Sequence, residues 1–197
     1  MNAVKLILTV VLFTASYLWA RDIEDGDAAV LNKDYSSAIK YYAIASMNGS
    51  AFAMLRLEIL KEKGHGKIEE FDAAFNQVKL AADKGSEKAQ TILAMAYLDG
   101  KLVSRSCDKG TRLLKYLASI GNLTAQHNLG GLYLQGNCLP INYLNAYMWR
   151  SLHAAATGSE SNRSFLKLIE QRMSTNQVAE AQKLAKDCQA RNFKNCD

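Results

Sequence analysis

Gly49, Gly85, Gly121 and Gly158 stand 36, 36 and 37 residues apart, and a second series, Gly64, Gly100 and Gly136, stands 15 residues after each of the first three. Two interleaved ladders at one period mark a repeated structural unit. The blocks align best as Gly85-Ser-Glu-Lys-Ala89-Gln90-x-x-Leu93-Ala-x-x-Tyr97-Leu98-x-Gly100 and Gly121-Asn-Leu-Thr-Ala125-Gln126-x-x-Leu129-Gly-x-x-Tyr133-Leu134-x-Gly136. The block from Gly49 keeps Ala53, Leu57 and Gly64 in register but lacks the Gln and the Tyr. A period of roughly 20–50 residues with one helical hairpin per unit is the signature of a stacked α-solenoid, because a single hairpin cannot bury its apolar face alone. Such a fold implies a surface for holding something.

Composition agrees with an all-α chain. Of 197 residues 49% are hydrophobic and only Pro140 is proline, so long helices are barely interrupted. A leading hairpin is expected from about Asp25 to Met47, with Asp34 as the N-cap of its second helix. In each repeat the first helix should begin just after the anchor glycine and end at the second glycine, a left-handed C-terminal cap. Ala74, Ala81 and Ala82 before Gly85, and Ala146, Trp149, Ala154 and Ala155 before Gly158, recur at spacings that share a helix face and allow close approach. Leu93, Leu98, Leu113, Leu114, Leu117, Leu129, Leu132 and Leu134 are the expected filling between hairpins. The implied organisation is a capping hairpin over 21–48, repeats over 49–84, 85–120 and 121–158, and C-terminal capping helices over 159–197.

Residues 1–20 read as a secretory signal peptide: a short basic start ending at Lys5, an apolar run from Leu6 to Ala20, then Arg21-Asp22. The run falls short of the ~20 residues that span a bilayer, so cleavage after Ala20 is expected, with no stable membrane insertion afterwards. Leu18, larger than the usual residue three before a cut, leaves an uncleaved anchor as the alternative. No cysteine near the cut offers a site for lipid. Export places the four cysteines in an oxidising compartment, periplasmic or secreted. Cys107 and Cys138 lie 31 apart in the loops of adjacent repeats, and Cys188 and Cys196 eight apart near the C-terminus. Neighbouring loops of a stacked array sit side by side, which favours Cys107 with Cys138 and Cys188 with Cys196 over the other two pairings. Sequons at Asn48, Asn122 and Asn162 leave open a secreted eukaryotic origin, but Asn48 and Asn122 fall at repeat turns, where Asn is common for its backbone tolerance alone.

The formal charge is +5, and removal of residues 1–20 takes away only Lys5. The excess is spread along the chain, with a local cluster at Lys61, Lys63, His65 and Lys67 and no basic stripe interleaved with aromatics, so nucleic acid is not an expected partner. His65, His127 and His153 are far apart in sequence, and neither C-x-x-C nor H-x-x-x-H occurs, so no metal site is implied. Two Ser-x-x-Lys matches, Ser37-Ala-Ile-Lys40 and Ser164-Phe-Leu-Lys167, lack the S-D-N and K-T-G partners of a serine acyl-transfer site. No enzyme and no cofactor is expected.

The pattern Gly-x-x-x-Ala-Gln-x-x-Leu-(Ala/Gly)-x-x-Tyr-x-x-Gly, followed by a loop and a helix ending in paired alanines, resembles the Sel1-like repeat, a relative of the tetratricopeptide unit, over Asn48 to Ala156. The tail, Leu168-Ile-Glu-Gln-Arg-Met173 and Asn176 to Ala185 with closing cysteines, is similar to the ends of exported bacterial members. The resemblance implies a right-handed superhelix whose first helices line a concave face, acting as a protein-binding adaptor or scaffold in the cell envelope. Gln90, Ala94, Tyr97, Gln126 and Tyr133 are its candidates for the partner-binding face or edge. The competing reading of the same residues is packing, with the tyrosines repeat-defining and the glutamines satisfying backbone groups between hairpins. Two alternatives follow from the resemblance: an accessory of an envelope machine such as a flagellar motor, from Tyr143-x-x-Ala-Tyr-x-Trp149 and Glu170-Gln-Arg-Met173, and a penicillin-binding or β-lactamase-like enzyme of the cysteine-rich type.

Overall fold

The computed structural model describes residues 21–158 and 160–196, and the signal-peptide segment lies outside the described residues. Among the described residues there are helices and turns but no strand. The order is α1 (residues 21–31), α2 (Tyr35–Met47), α3 (Ala51–Glu62), α4 (Ile68–Asp83), α5 (Glu87–Asp99), α6 (Cys107–Ser119), α7 (Leu123–Gln135), α8 (Tyr143–Thr157), α9 (Glu160–Glu170) and α10 (Thr175–Ala190).

The periodicity of the sequence is the periodicity of the turns. Gly49, Gly85 and Gly121 have φ of 90°, 90° and 88°. Each is followed by a residue whose side chain caps the next helix: Ser50, Ser86 and Asn122 accept from the N–H of Ala53, Ala89 and Ala125. In all three turns the capping residue's N–H reaches back five residues, to Ala45, Ala81 and Leu117. These left-handed conformations cost an L residue about 1–2 kcal/mol, which explains why glycine holds the place. The second ladder behaves as expected of C-caps: Gly100 and Gly136 are left-handed and donate to the carbonyls of Ala96 and Leu132. After α3 the cap is Lys63, with left-handed Gly64 next to it. Asp34 caps α2 through the Ser37 N–H.

The chain divides into two compact units. The first holds α1 to α4, α5 as far as Ala96, and Gly100–Ser104. Here α2 packs on both α3 and α4, burying Ala38, Ile39, Tyr42, Leu57, Phe71 and Val78. The loop after α5 is tied to α3: Lys101 lies 3.3 Å from buried Glu58 and 3.5 Å from Glu62, and the Lys61 ammonium donates to the Leu102 carbonyl at 2.8 Å.

The second unit holds Tyr97–Asp99 and everything from Arg105 onward. Its centre is α8, which packs against α7, α9 and α10, with Leu114, Leu117, Leu129, Met148 and Trp149 enclosed. Of the leucines expected to fill the array, Leu113 and Leu134 stay half-buried and the other six are buried. Tyr147 donates to Glu170 of α9 at 2.9 Å and accepts from Gln182 of α10, fastening the C-terminal helices to α8. Cys107 bonds to Cys138 and Cys188 to Cys196, with Cα separations of 5.1 and 5.2 Å. Cys107 is the first residue of α6 rather than a loop residue, because Ser106 caps the helix one place earlier.

Arg150 of α8 crosses α7 over Gly130 and Gly131. A Cβ at Gly130 would lie 2.8 Å from Arg150 Cγ and 3.2 Å from the Ala146 carbonyl, so this passage exists because α7 carries no side chain there. Beyond it the guanidinium meets His127. Burial pushes the His127 imidazole down to about 4, helped by the Arg150 charge and by His153. Unfolding returns that group to about 6.5, so between those values the unfolded chain binds the extra proton. The stabilisation is complete above about pH 6.5 and declines as pH falls toward 4. With allowance for the ring's partial exposure the loss is on the order of 1–2 kcal/mol. Urea midpoints measured from pH 7 to pH 4 should show this decline, and His127→Gln should flatten it.

Candidate protein-binding site

The structure takes most of the motif residues inside. Ala94 and Gln126 are fully buried and Tyr133 is 6% exposed, so these three cannot offer a surface to a partner. The Gln126 amide donates to the Ala118 carbonyl at 3.4 Å and the Gln90 amide to the Ala82 carbonyl at 3.0 Å. Each glutamine therefore ties the start of a first helix to the end of the preceding second helix. Tyr97 and Tyr133 hold the following loops through their main chain, their carbonyls accepting from Ser106 and Asn142. Gln90 and half-buried Tyr97 keep some exposure, and Lys109 stands 5.3 Å above the Tyr97 ring.

In the first unit, exposed apolar side chains occur on α1, α2, α3 and α4, and on α3 they form a continuous stripe. Phe52, Leu55, Arg56 and Ile59 recur at i, i+3, i+4 and i+7, the spacing of one helix face. Phe52 is 49% and Leu55 44% exposed, and Leu31 at the end of α1 is 84% exposed. Below the stripe a pocket of about 350 Å³ opens between Val30 and Leu31 of α1, Tyr35 and Tyr42 of α2, and Ile59 and Leu60 of α3.

The pocket's polar floor is an ion pair and a hydrogen bond. The Tyr42 hydroxyl donates to Asp27 at 2.5 Å, and the Arg56 guanidinium lies 3.3 Å from the same carboxylate. Burial, with the Asp27 bond second, pushes the Tyr42 hydroxyl far above its ordinary range, so it stays a donor at any physiological pH. Arg56 also spans the Phe52 ring at 4.8 Å, an Arg–aromatic stack that holds the ring upright. With Asp27 paired, the rim charge is set by exposed Lys63, beside His65, whose ring stacks on Tyr35 at 4.2 Å. The basic cluster read from the sequence is thus partly the edge of an apolar pocket.

A second groove, about 600 Å³, runs between α2 and α4 over Ile39, Ala43, Ile44, Met47 and Ala73. Its two rim charges, Lys40 and Glu70, are of opposite sign, so it carries no electrostatic preference.

The two Ser-x-x-Lys pairs lie on helices at ordinary capping and surface positions. Ser37 sits in the first turn of α2 with its N–H on Asp34, and Ser164 and Lys167 are both solvent-facing on α9. Among the described residues no cluster of three or more His, Cys, Asp or Glu could hold a metal ion, and no helix is long and apolar enough to cross a membrane.

No family profile and no curated protein matches the chain. Among solved structures it is similar to a protective antigen of uropathogenic Escherichia coli strains displaying an SLR fold. The TM-score is 0.59 at 24% identity, over 81% of this chain and 34% of that one. The chain thus spans about a third of the length of that protein. Likeness at this level establishes the architecture: the chain is an all-α array of helical hairpins with the Sel1-like repeat fold.

Proposed function

We propose that the protein is a non-catalytic binding module of an oxidising, extracytoplasmic compartment, holding a segment of a partner protein against the α1/α3 face. The observation that carries this reading is the Phe52–Leu55–Ile59 stripe continuous with the pocket at Leu31. Helix faces of a repeat array that are not spent on the next hairpin are where such folds hold their partners. The occupant is an apolar peptide segment bearing an acidic side chain. Its apolar groups enter between Val30 and Ile59, and its carboxylate meets Lys63, the rim cation left once Asp27 has taken Arg56. The two disulfides support the compartment, and residues 1–20 are proposed as the leader cut after Ala20.

Selection of a random-peptide library on the oxidised chain is expected to enrich apolar sequences containing Asp or Glu. Leu55→Glu, at an exposed position, should abolish that enrichment while leaving the circular dichroism unchanged. Basic consensus peptides, or enrichment indifferent to Leu55→Glu, would refute the assignment. For the compartment, intact mass of the protein from its native cell should show an N-terminus at Arg21 and no thiol open to alkylation; four alkylatable cysteines would overturn it.

A further inference from the structure

The Arg150 guanidinium in the second unit has no carboxylate within salt-bridge distance among the described residues. It is held with care all the same. Its stem passes over Gly130, a Cβ at Gly131 would come 3.3 Å from Nη2, and the Phe165 ring of α9 lies 4.5 Å from Cζ. Nη1 donates to the His127 ring, whose nitrogens stand 2.9 and 3.0 Å away. The His153 ring meets His127 edge-on at 4.9 Å. Arginine stays charged in any such setting, and a half-buried cation without a counter-ion is an arrangement that folding alone does not favour. Glu170, the acidic group that α9 brings to α8, is engaged by Tyr147.

Three buried nitrogens around this cation also lack partners: Arg150 Nε and both ring nitrogens of His153. Buried polar atoms of native chains are almost always satisfied, so unpartnered ones beside an unpaired charge point to something that binds there. With Nη1 given to His127, the edge left to the guanidinium is Nε and Nη2, the side-on pair that a carboxylate accepts with two oxygens. His127 and His153 are both depressed by burial first and by Arg150 next, so near neutral pH each is an uncharged ring able to donate one N–H.

We propose that Arg150, His127 and His153 form a receptor for a single carboxylate, with the guanidinium supplying the charge and the imidazoles neutral hydrogen bonds. The site is independent of the α1/α3 face, and either can fail without the other. Binding an anion here favours the charged imidazoles, so occupancy raises both histidine pKa values.

The test is histidine-ring NMR on the full oxidised chain in chloride buffer, titrated separately with acetate and with inorganic phosphate. Acetate is expected to shift the His127 and His153 signals saturably and move their titration upward by at least half a pH unit. Arg150→Met should abolish the response, and Gly131→Ala, which keeps the charge but displaces Nη2, should weaken it about tenfold. A response stronger with phosphate than with acetate would replace the carboxylate with a free oxyanion as ligand and overturn the assignment. So would the absence of a saturable shift, or a shift that survives Arg150→Met. Thermal melting of both variants separates loss of the site from loss of the fold.

Discussion

Replacing Cys107 and Cys138 together by serine is expected to lower the unfolding free energy by about 3–4 kcal/mol. The link joins residues 31 apart and pins the start of α6 to the loop after α7. Cutting it returns the conformational freedom of that closed loop to the unfolded chain, and the loop-entropy relation gives this magnitude for about thirty residues. The Cys188–Cys196 link closes only eight residues, so the corresponding pair of serines should cost less, about 2–3 kcal/mol on the same relation. Urea titration of the two variants against the oxidised parent measures both losses. If the 107–138 variant loses under 1 kcal/mol, the surrounding helices already hold that loop and the bridge is redundant.

Trp149→Ala is expected to cost about 3–5 kcal/mol, the range for emptying a buried aromatic site. The indole is 1% exposed and stands on α8, the helix on which α7, α9 and α10 all pack. One side of it looks toward Tyr116 of α6 and Phe193 of the tail, so collapse of the cavity would have to draw on several elements at once. The indole N–H has no hydrogen-bond partner. Trp149→Phe therefore forfeits volume but no hydrogen bond, and about 1–2 kcal/mol is the expected loss. Chemical denaturation of both variants distinguishes the two contributions, and equal losses would show that the N–H is satisfied.

What was legible in the sequence was whatever repeats. The glycine ladders predicted turns, and the turns proved to share dihedral angles and capping bonds because glycine and a short polar residue are what that geometry requires. The cysteine spacings worked for a related reason, since a known period fixes which loops are neighbours. Two of the repeated residues proposed for a binding face, Gln126 and Tyr133, proved interior, because residues needed in every unit are those that join units.

The informative positions were the unassigned ones between them. Phe52, Leu55 and Ile59 occupy the same places in their block as Thr124, His127 and Gly131 do 72 residues later. One set makes an apolar stripe, the other the passage and first imidazole of the Arg150 cluster. The doubled glycine inside α7 was the visible sign of the second. That His127 and His153 touch was not readable, because they are 26 residues apart on different helices and the contact depends on how α7 and α8 pack.

The shared geometry of the Gly49, Gly85 and Gly121 turns makes the length of this protein separable from its stability. A block of three dozen residues copied in tandem would meet its neighbours through two junctions whose dihedral angles and hydrogen bonds already exist in the parent. Duplication thus creates no untried joint, and the duplicate's uncommitted first-helix positions are free to diverge. Growth by whole blocks lets such a chain acquire new recognition chemistry without first solving a new folding problem.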